Sequence, residues 1–306
     1  MANGGRDFVG YGPNPIDPKW PGGARIAVNF AVAYEGGAES NILDGDSASE
    51  SFLNDIGSPA VAHHRNPLVE SVFEYGARVG VWRLLRIFRQ FGLKVDLFAT
   101  ASALARNPEV ARRFREEGHE IVAHHYRWID YIHVDPLTER DHIRKAVQTI
   151  EEITGERPRG WMSGRPSMNT RRLLVEEGGF LYDRDALNDE IPYWSQVDGQ
   201  PHLVIPFSYE TSDSRTNQSF GWAHGDDLFH YLKDAFDLLY QEGEDTPRML
   251  SIGVHDRFCG RPARAAGLIK FLDYLSKFDK VWVCQGHQIA EHWQTVHPPS
   301  AVLQQS

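Results

Sequence analysis

At 306 residues, with 41% hydrophobic and 11% aromatic residues, the chain is long enough for one large α/β barrel or two small domains. A formal charge of -10 argues against a nucleic-acid surface, which needs a basic face, and no apolar run approaches a membrane span. Cys259 and Cys284 have neither metal-site nor disulfide-framework spacing and the amino terminus shows no apolar signal core, so a cytoplasmic protein is expected.

Residues 1–23 read as an arm rich in Gly, Pro and Asn, ending at Trp20-Pro-Gly-Gly23. The run Ala24 to Ala33 is apolar and β-branched, as a strand buried on both faces should be, and it delivers Tyr34, Glu35 and Glu39 to its carboxyl end. Ser40 to Val79 is polar and irregular, with a short helix expected around Ser49–Asp55. An insertion of that length in a compact domain reads as active-site rim. Gly80 to Phe91 has helical spacing, Lys94 to Thr100 is strand-like, and Asn107-Pro108 opens a further helix.

The stretch Gly118-His-Glu-Ile-Val-Ala-His-His-Tyr-Arg-Trp128 is the centre of the chain. A helix stops at Gly118, a short strand follows, and His124, His125, Tyr126 and Trp128 gather at its carboxyl end. Ligands of α/β proteins bind beyond that end of the strands, which makes the cluster a site candidate rather than a capped surface loop. Asp135-Pro136 then starts a helix closed at Gly155. Pro158 to Ser167 is strand and loop with Trp161 and Arg165, and Asn169-Thr170 caps a helix to Glu177. Strand-like runs end at Asp183 and Tyr209, with Asp213 beyond. Asp226–Tyr240 and Pro262–Phe278 are amphipathic, Arg248–Val254 is a buried strand leading to His255 and Asp256, and Val281–Cys284 is the last strand. Strand and helix alternate with no composition break, so a single α/β domain is expected: a barrel over residues 24–290 with a loosely ordered tail at 291–306.

The strand-end set Tyr34-Glu35, His124, Arg165-Pro166, Asp213 and His255-Asp256 resembles the polysaccharide deacetylase family. That resemblance implies a distorted (β/α) barrel of amide and ester hydrolases, with an acid base, an Arg that orients it, a late His, and a metal held by one Asp and two His. Here the metal-ligand acid falls on Gly36 and the second His on Trp128, which leaves His124 alone of the three. Neighbouring strand residues point to opposite faces, which argues against His125 as a replacement, and Glu39 has no partner to support it. The pattern resembles the metal-independent allantoinase branch, through stretches such as Glu74 to Leu85, Tyr126 to Tyr131, Glu176 to Asp183 and Gly260 to Arg264.

The resemblance implies hydrolysis of a cyclic amide, allantoin or another cyclic ureide or imide, with no cofactor and no metal. Glu35 is expected as the base, a role that a raised pKa helps, with Arg165 orienting it. His124, together with backbone N–H groups around Gly36 and Gly37, is expected to face the oxyanion. His255, backed by Asp256, should protonate the leaving nitrogen. Tyr34, Glu39, His125, Tyr126, Trp128, Trp161, Asp213 and Asp256 are expected around the substrate. A homo-oligomer is expected, with neither nucleic acid nor membrane as partner. A metal-dependent N-deacetylase and an inactive binding module are the competing readings. The missing ligands speak against the first, and retention of Glu35, Arg165 and His255 against the second.

Overall fold

The computed structural model describes residues 6–217 and 221–299. Its framework is one nine-stranded sheet, parallel except for one hairpin, curled so that helices cover its outside. Strand β1 (Ile26–Tyr34) is the hub, pairing along its length with β8 (Arg248–His255). On its other edge it meets β9 (Val281–Val283) at the amino-terminal half and β2 (Asp96–Ala99) at the carboxyl half. From β2 the order runs through β3 (Glu120–Ala123), β4 (Gly160–Trp161), β5 (Tyr182–Asp183) and β7 (Gln200–Val204) to β6 (Tyr193–Val197). The free edge of β8 bends round to meet the return chain: Met249 N–H donates to the Glu190 carbonyl at 2.9 Å, and Gly253 bridges Ser212. Strands and outer helices alternate in the (β/α) barrel manner expected from the sequence.

Alternation along the strands explains both faces. In β1, Ile26, Val28, Phe30, Val32 and Tyr34 join the core under the helices, whereas the small Ala31 belongs to the cluster inside the curl with Phe98, Val122, Met162 and Phe207. Small residues on the concave face leave room for larger side chains from neighbouring strands. Below that apolar layer lies a polar one. The buried Arg184 guanidinium donates to Asn29 and to Ser251 Oγ (2.6 Å) and pairs with Asp96 at 3.4 Å. Outside, α7 (Gly225–Glu242) and α8 (Pro262–Leu275) pack together beside β8.

Local chemistry sets the longest helix, α5 (Pro136–Thr154). Asp135 caps Leu137 and Thr138 N–H, Pro136 occupies the first turn, and Gly155 adopts the left-handed conformation that stops it. Three helices were not anticipated in the sequence, α1 (Pro67–Tyr75), α3 (Ala101–Arg106) and α9 (Gly286–Val296); the last gives residues 291–296 regular structure in what was expected to be a loose tail. Residues 300–306 of that tail lie outside the described residues. The helix expected around Ser49–Asp55 is absent; that segment is irregular with a turn at Phe52-Leu53, because Glu50 and Asn54 side chains take up nearby backbone N–H groups. No helix among the described residues is long and apolar enough to cross a membrane.

Candidate active site

The carboxyl ends of β1, β3 and β8 place three inward-phase side chains at the mouth of the curl: Glu35, His124 and His255. They share a pocket floored by Phe98, Met162 and Phe207 and walled by Phe52, Leu53, Trp128, Arg165 and Tyr209. Its composition, mostly apolar with a few convergent polar groups, is that of a small-molecule site.

Glu35 is buried, and its two oxygens have different partners. Oε2 takes the Arg257 guanidinium at 2.5 Å; Oε1 stands 3.1 Å from His124 Nε2 and 3.9 Å from His255 Nε2. Burial alone would push this carboxyl up, but Arg257, His255 and His124 together hold it well below the usual carboxylate range. The rise that would help a base is therefore absent: Glu35 stays ionised. Arg257 is itself enclosed by Phe73, Trp128 and Phe258, with ring centroids 4.5, 4.8 and 4.9 Å from its guanidinium carbon, and its Nε donates to the Leu53 carbonyl.

His124 Nδ1 faces the Met162 carbonyl while Nε2 faces Glu35. Both ring nitrogens thus meet oxygen partners, and Nε2 is the one on the Glu35 side. His255 Nδ1 donates to Asp213 Oδ1 at 2.6 Å, and the His255 backbone N–H donates to Asp213 Oδ2 at 2.8 Å. Asp213 also accepts from Cys259 N–H, so its carboxylate is fixed and presents His255 Nε2 to the pocket.

Several expected site residues lie elsewhere. Arg165 does not reach Glu35. It pairs with Glu50 at 3.2 Å, donates to the Trp128 carbonyl and stacks over Trp128 and Phe52, and Arg257 holds the carboxylate in its place. Asp256 does not back His255, a task that falls to Asp213, which therefore orients a histidine and is absent from the pocket lining. One residue out of phase, Asp256 is turned toward Gly76, where a Cβ would stand 2.5 Å from its Oδ1, and burial pushes its carboxyl up to about 8.

Phase also removes Tyr34, His125 and Trp161 from the pocket. Tyr34 and Trp161 belong to the core under the helices, and His125 stacks on Tyr131 with ring centroids 3.4 Å apart. Burial pushes the His125 ring down to about 4. Tyr126 packs on His142 and Lys145 rather than on the pocket. Glu39 folds back onto the Gly37 N–H at 2.6 Å, so that N–H is not free for an oxyanion, and burial pushes the Glu39 carboxyl up to about 7.

The resemblance implies a metal where the residues present do not fit one. Gly36 has no donor and no space for one, since a Cβ there would stand 2.7 Å from the Phe73 carbonyl oxygen. Trp128 is an aromatic wall. Among the described residues no group of three or more His, Cys, Asp or Glu is arranged to hold a metal ion.

Residues 62–177 match the sequence profile of the polysaccharide deacetylase family. A Schizosaccharomyces pombe protein that carries the name polysaccharide deacetylase is 37% identical across 97% of this chain and 99% of its own. The chain belongs to the polysaccharide deacetylase family. Within it, the crystal structure of PuuE allantoinase is 49% identical, covers 97% of this chain and 99% of its own, and superposes with a TM-score of 0.95. A Pseudomonas aeruginosa PAO1 structure bearing the polysaccharide deacetylase name is equally similar, at 49% identity and TM-score 0.94 over 96% of this chain and 99% of that one. The Helicobacter pylori peptidoglycan deacetylase of the same family is more distant, 25% identical over 73% of this chain and 87% of its own.

The segment between Ser40 and Asn66 crosses the pocket and brings in Phe52 and Leu53. It is pinned by Glu50 to Arg165, by the Leu53 carbonyl to Arg257, and by Asp55 to Arg264 at 2.7 Å.

Proposed function

We propose that this polysaccharide deacetylase family member hydrolyses a C–N bond of a small cyclic amide, with allantoin the first substrate to test. The observation that carries this reading is a covered pocket holding two imidazoles and an ionised carboxylate, without a fitting set of metal ligands. The likeness to PuuE allantoinase over nearly the whole chain supports allantoin in particular. Trp128 and Phe52, 6.0 Å apart between centroids, offer flat surfaces suited to a small planar ring. The pinned segment over the pocket disfavours a polymer.

A ring amide needs an activated water, a donor for the oxyanion and a proton for the departing nitrogen. A carboxylate held as low as Glu35 is a weak base, so the water's proton goes to His255 Nε2, as in other His–Asp pairs. Asp213 keeps the proton of Nδ1 in place, and Glu35 stabilises the positive charge that His255 then carries. His124 Nε2–H donates to the carbonyl oxygen as negative charge develops. Collapse of the tetrahedral intermediate breaks the C–N bond, and His255 returns its proton to that nitrogen. The product is one open-chain molecule carrying both the new carboxylate and the freed nitrogen, with one water consumed.

The test is turnover of allantoin, hydantoin, dihydrouracil, succinimide and an N-acetylglucosamine oligomer. Ring opening of one or more cyclic amides and no acetate release are expected. Acetate release from the oligomer with every ring left intact would overturn the proposal.

A further inference from the structure

We propose that Asp185 is a positioning residue that sets the His124 ring through the turn after β4. It rests on the proposed function in giving His124 a share in the chemistry. Asp185 Oδ1 accepts two backbone N–H groups of that turn, from Ser163 at 2.8 Å and from Gly164 at 3.3 Å. The turn in its place clamps the imidazole. Its Met162 carbonyl receives His124 Nδ1–H, and its Gly164 lies against the ring edge, where a Cβ would stand 3.0 Å from His124 Cε1. Gly164 sits at φ 73°, a left-handed conformation that favours glycine. With one nitrogen and one edge fixed, the other nitrogen can only be delivered to Glu35.

Asp185 is held as a rigid support should be. Its own N–H donates to Asp183 Oδ1 at 2.9 Å, and its carbonyl accepts from Arg171 at 3.3 Å. Its Oδ2 is buried and has no hydrogen-bond partner, so the work is done by Oδ1 alone. An amide oxygen can do the same work, which separates the residue's positioning role from its charge.

The experiment reads the His124 ring directly. Imidazole N–H signals are recorded by NMR in the substrate-free protein, with His124→Gln identifying the His124 signal. Asp185→Ala is expected to shift or erase that signal and to lower kcat by at least about tenfold with little change in KM. Asp185→Asn, which keeps an acceptor, is expected to preserve the signal and most of kcat. An unchanged His124 signal in Asp185→Ala would overturn the inference, as would equal loss in Asp185→Asn. Should Asp185→Ala fail to fold, Gly164→Ala pushes on the same ring from the turn itself, and an unmoved signal there overturns the inference too. If no substrate turns over, the proposed function fails while the NMR comparison still decides the role of Asp185.

Discussion

At the residue scale the site is governed by who holds which oxygen of Glu35. Arg257 keeps the carboxylate ionised, so the stabilisation this pair lends is present above the ordinary value of 4.5 and is lost only in stronger acid. Activity should therefore show no acid limb near pH 4.5 that belongs to Glu35. In Arg257→Met burial is no longer opposed by the guanidinium, so Glu35 takes up a proton closer to neutrality. The acid limb of kcat/KM should move upward, and activity near neutral pH should fall at least about a hundredfold. An unshifted pH profile in that variant would remove Arg257 from the account. Asp256 behaves in the opposite sense. Its folded-state carboxyl is raised from 3.8 to about 8, so the folded chain binds that proton more tightly than the unfolded chain does. Stability is then highest at low pH for this group and declines as pH rises toward 8. Urea unfolding should find that Asp256→Asn flattens the decline, with a gain on the order of a few kcal/mol at pH 8. A variant as pH-sensitive as the parent would contradict this. Glu35, His124 and His255 were legible as strand-end residues of chemically apt types. Arg257 was passed over because nothing in a linear sequence says which of several arginines meets a buried acid.

At the element scale, most of what was misplaced is a matter of phase. Residues 35, 124 and 255 face the inside of the curl, and their neighbours Tyr34, His125 and Asp256 face the helices. Strict alternation, applied to the strand-end residues as well as to the strands, would have sorted them. The strands themselves were readable because burial on both faces demands continuous apolar runs. Segment 40–66 was readable only as rim, since its conformation comes from Glu50 and Asn54 bonding to local backbone rather than from any period. Gly36 belongs at this scale because α1 (Pro67–Tyr75) presses on it through the Phe73 carbonyl. Gly36→Ala should lose roughly 1–3 kcal/mol of stability by denaturant titration, because backbone rather than a movable side chain meets the new Cβ. A Gly36→Asp variant of undiminished stability that binds zinc tightly would show that the space exists after all.

At the scale of the whole molecule, the curled sheet stacks its interior in layers. The Arg184 polar layer lies below the Phe98–Met162–Phe207 floor, and the acid–base groups sit above it. Breaking the buried Arg184–Asp96 contact with Arg184→Met should cost about 3–5 kcal/mol, because it leaves an unpaired acid in the barrel. Thermal or denaturant unfolding checks this, and a neutral effect would mean that the layer is not a structural necessity. The central claim concerns the layer above: the imidazoles and Glu35 open a small ring without help from a bound metal. Its most direct test is allantoin hydrolysis by protein dialysed against chelator, with metal content measured on the same sample. The account predicts undiminished ring opening with far less than one metal per chain. Activity that vanishes on dialysis and returns in proportion to added zinc would contradict it.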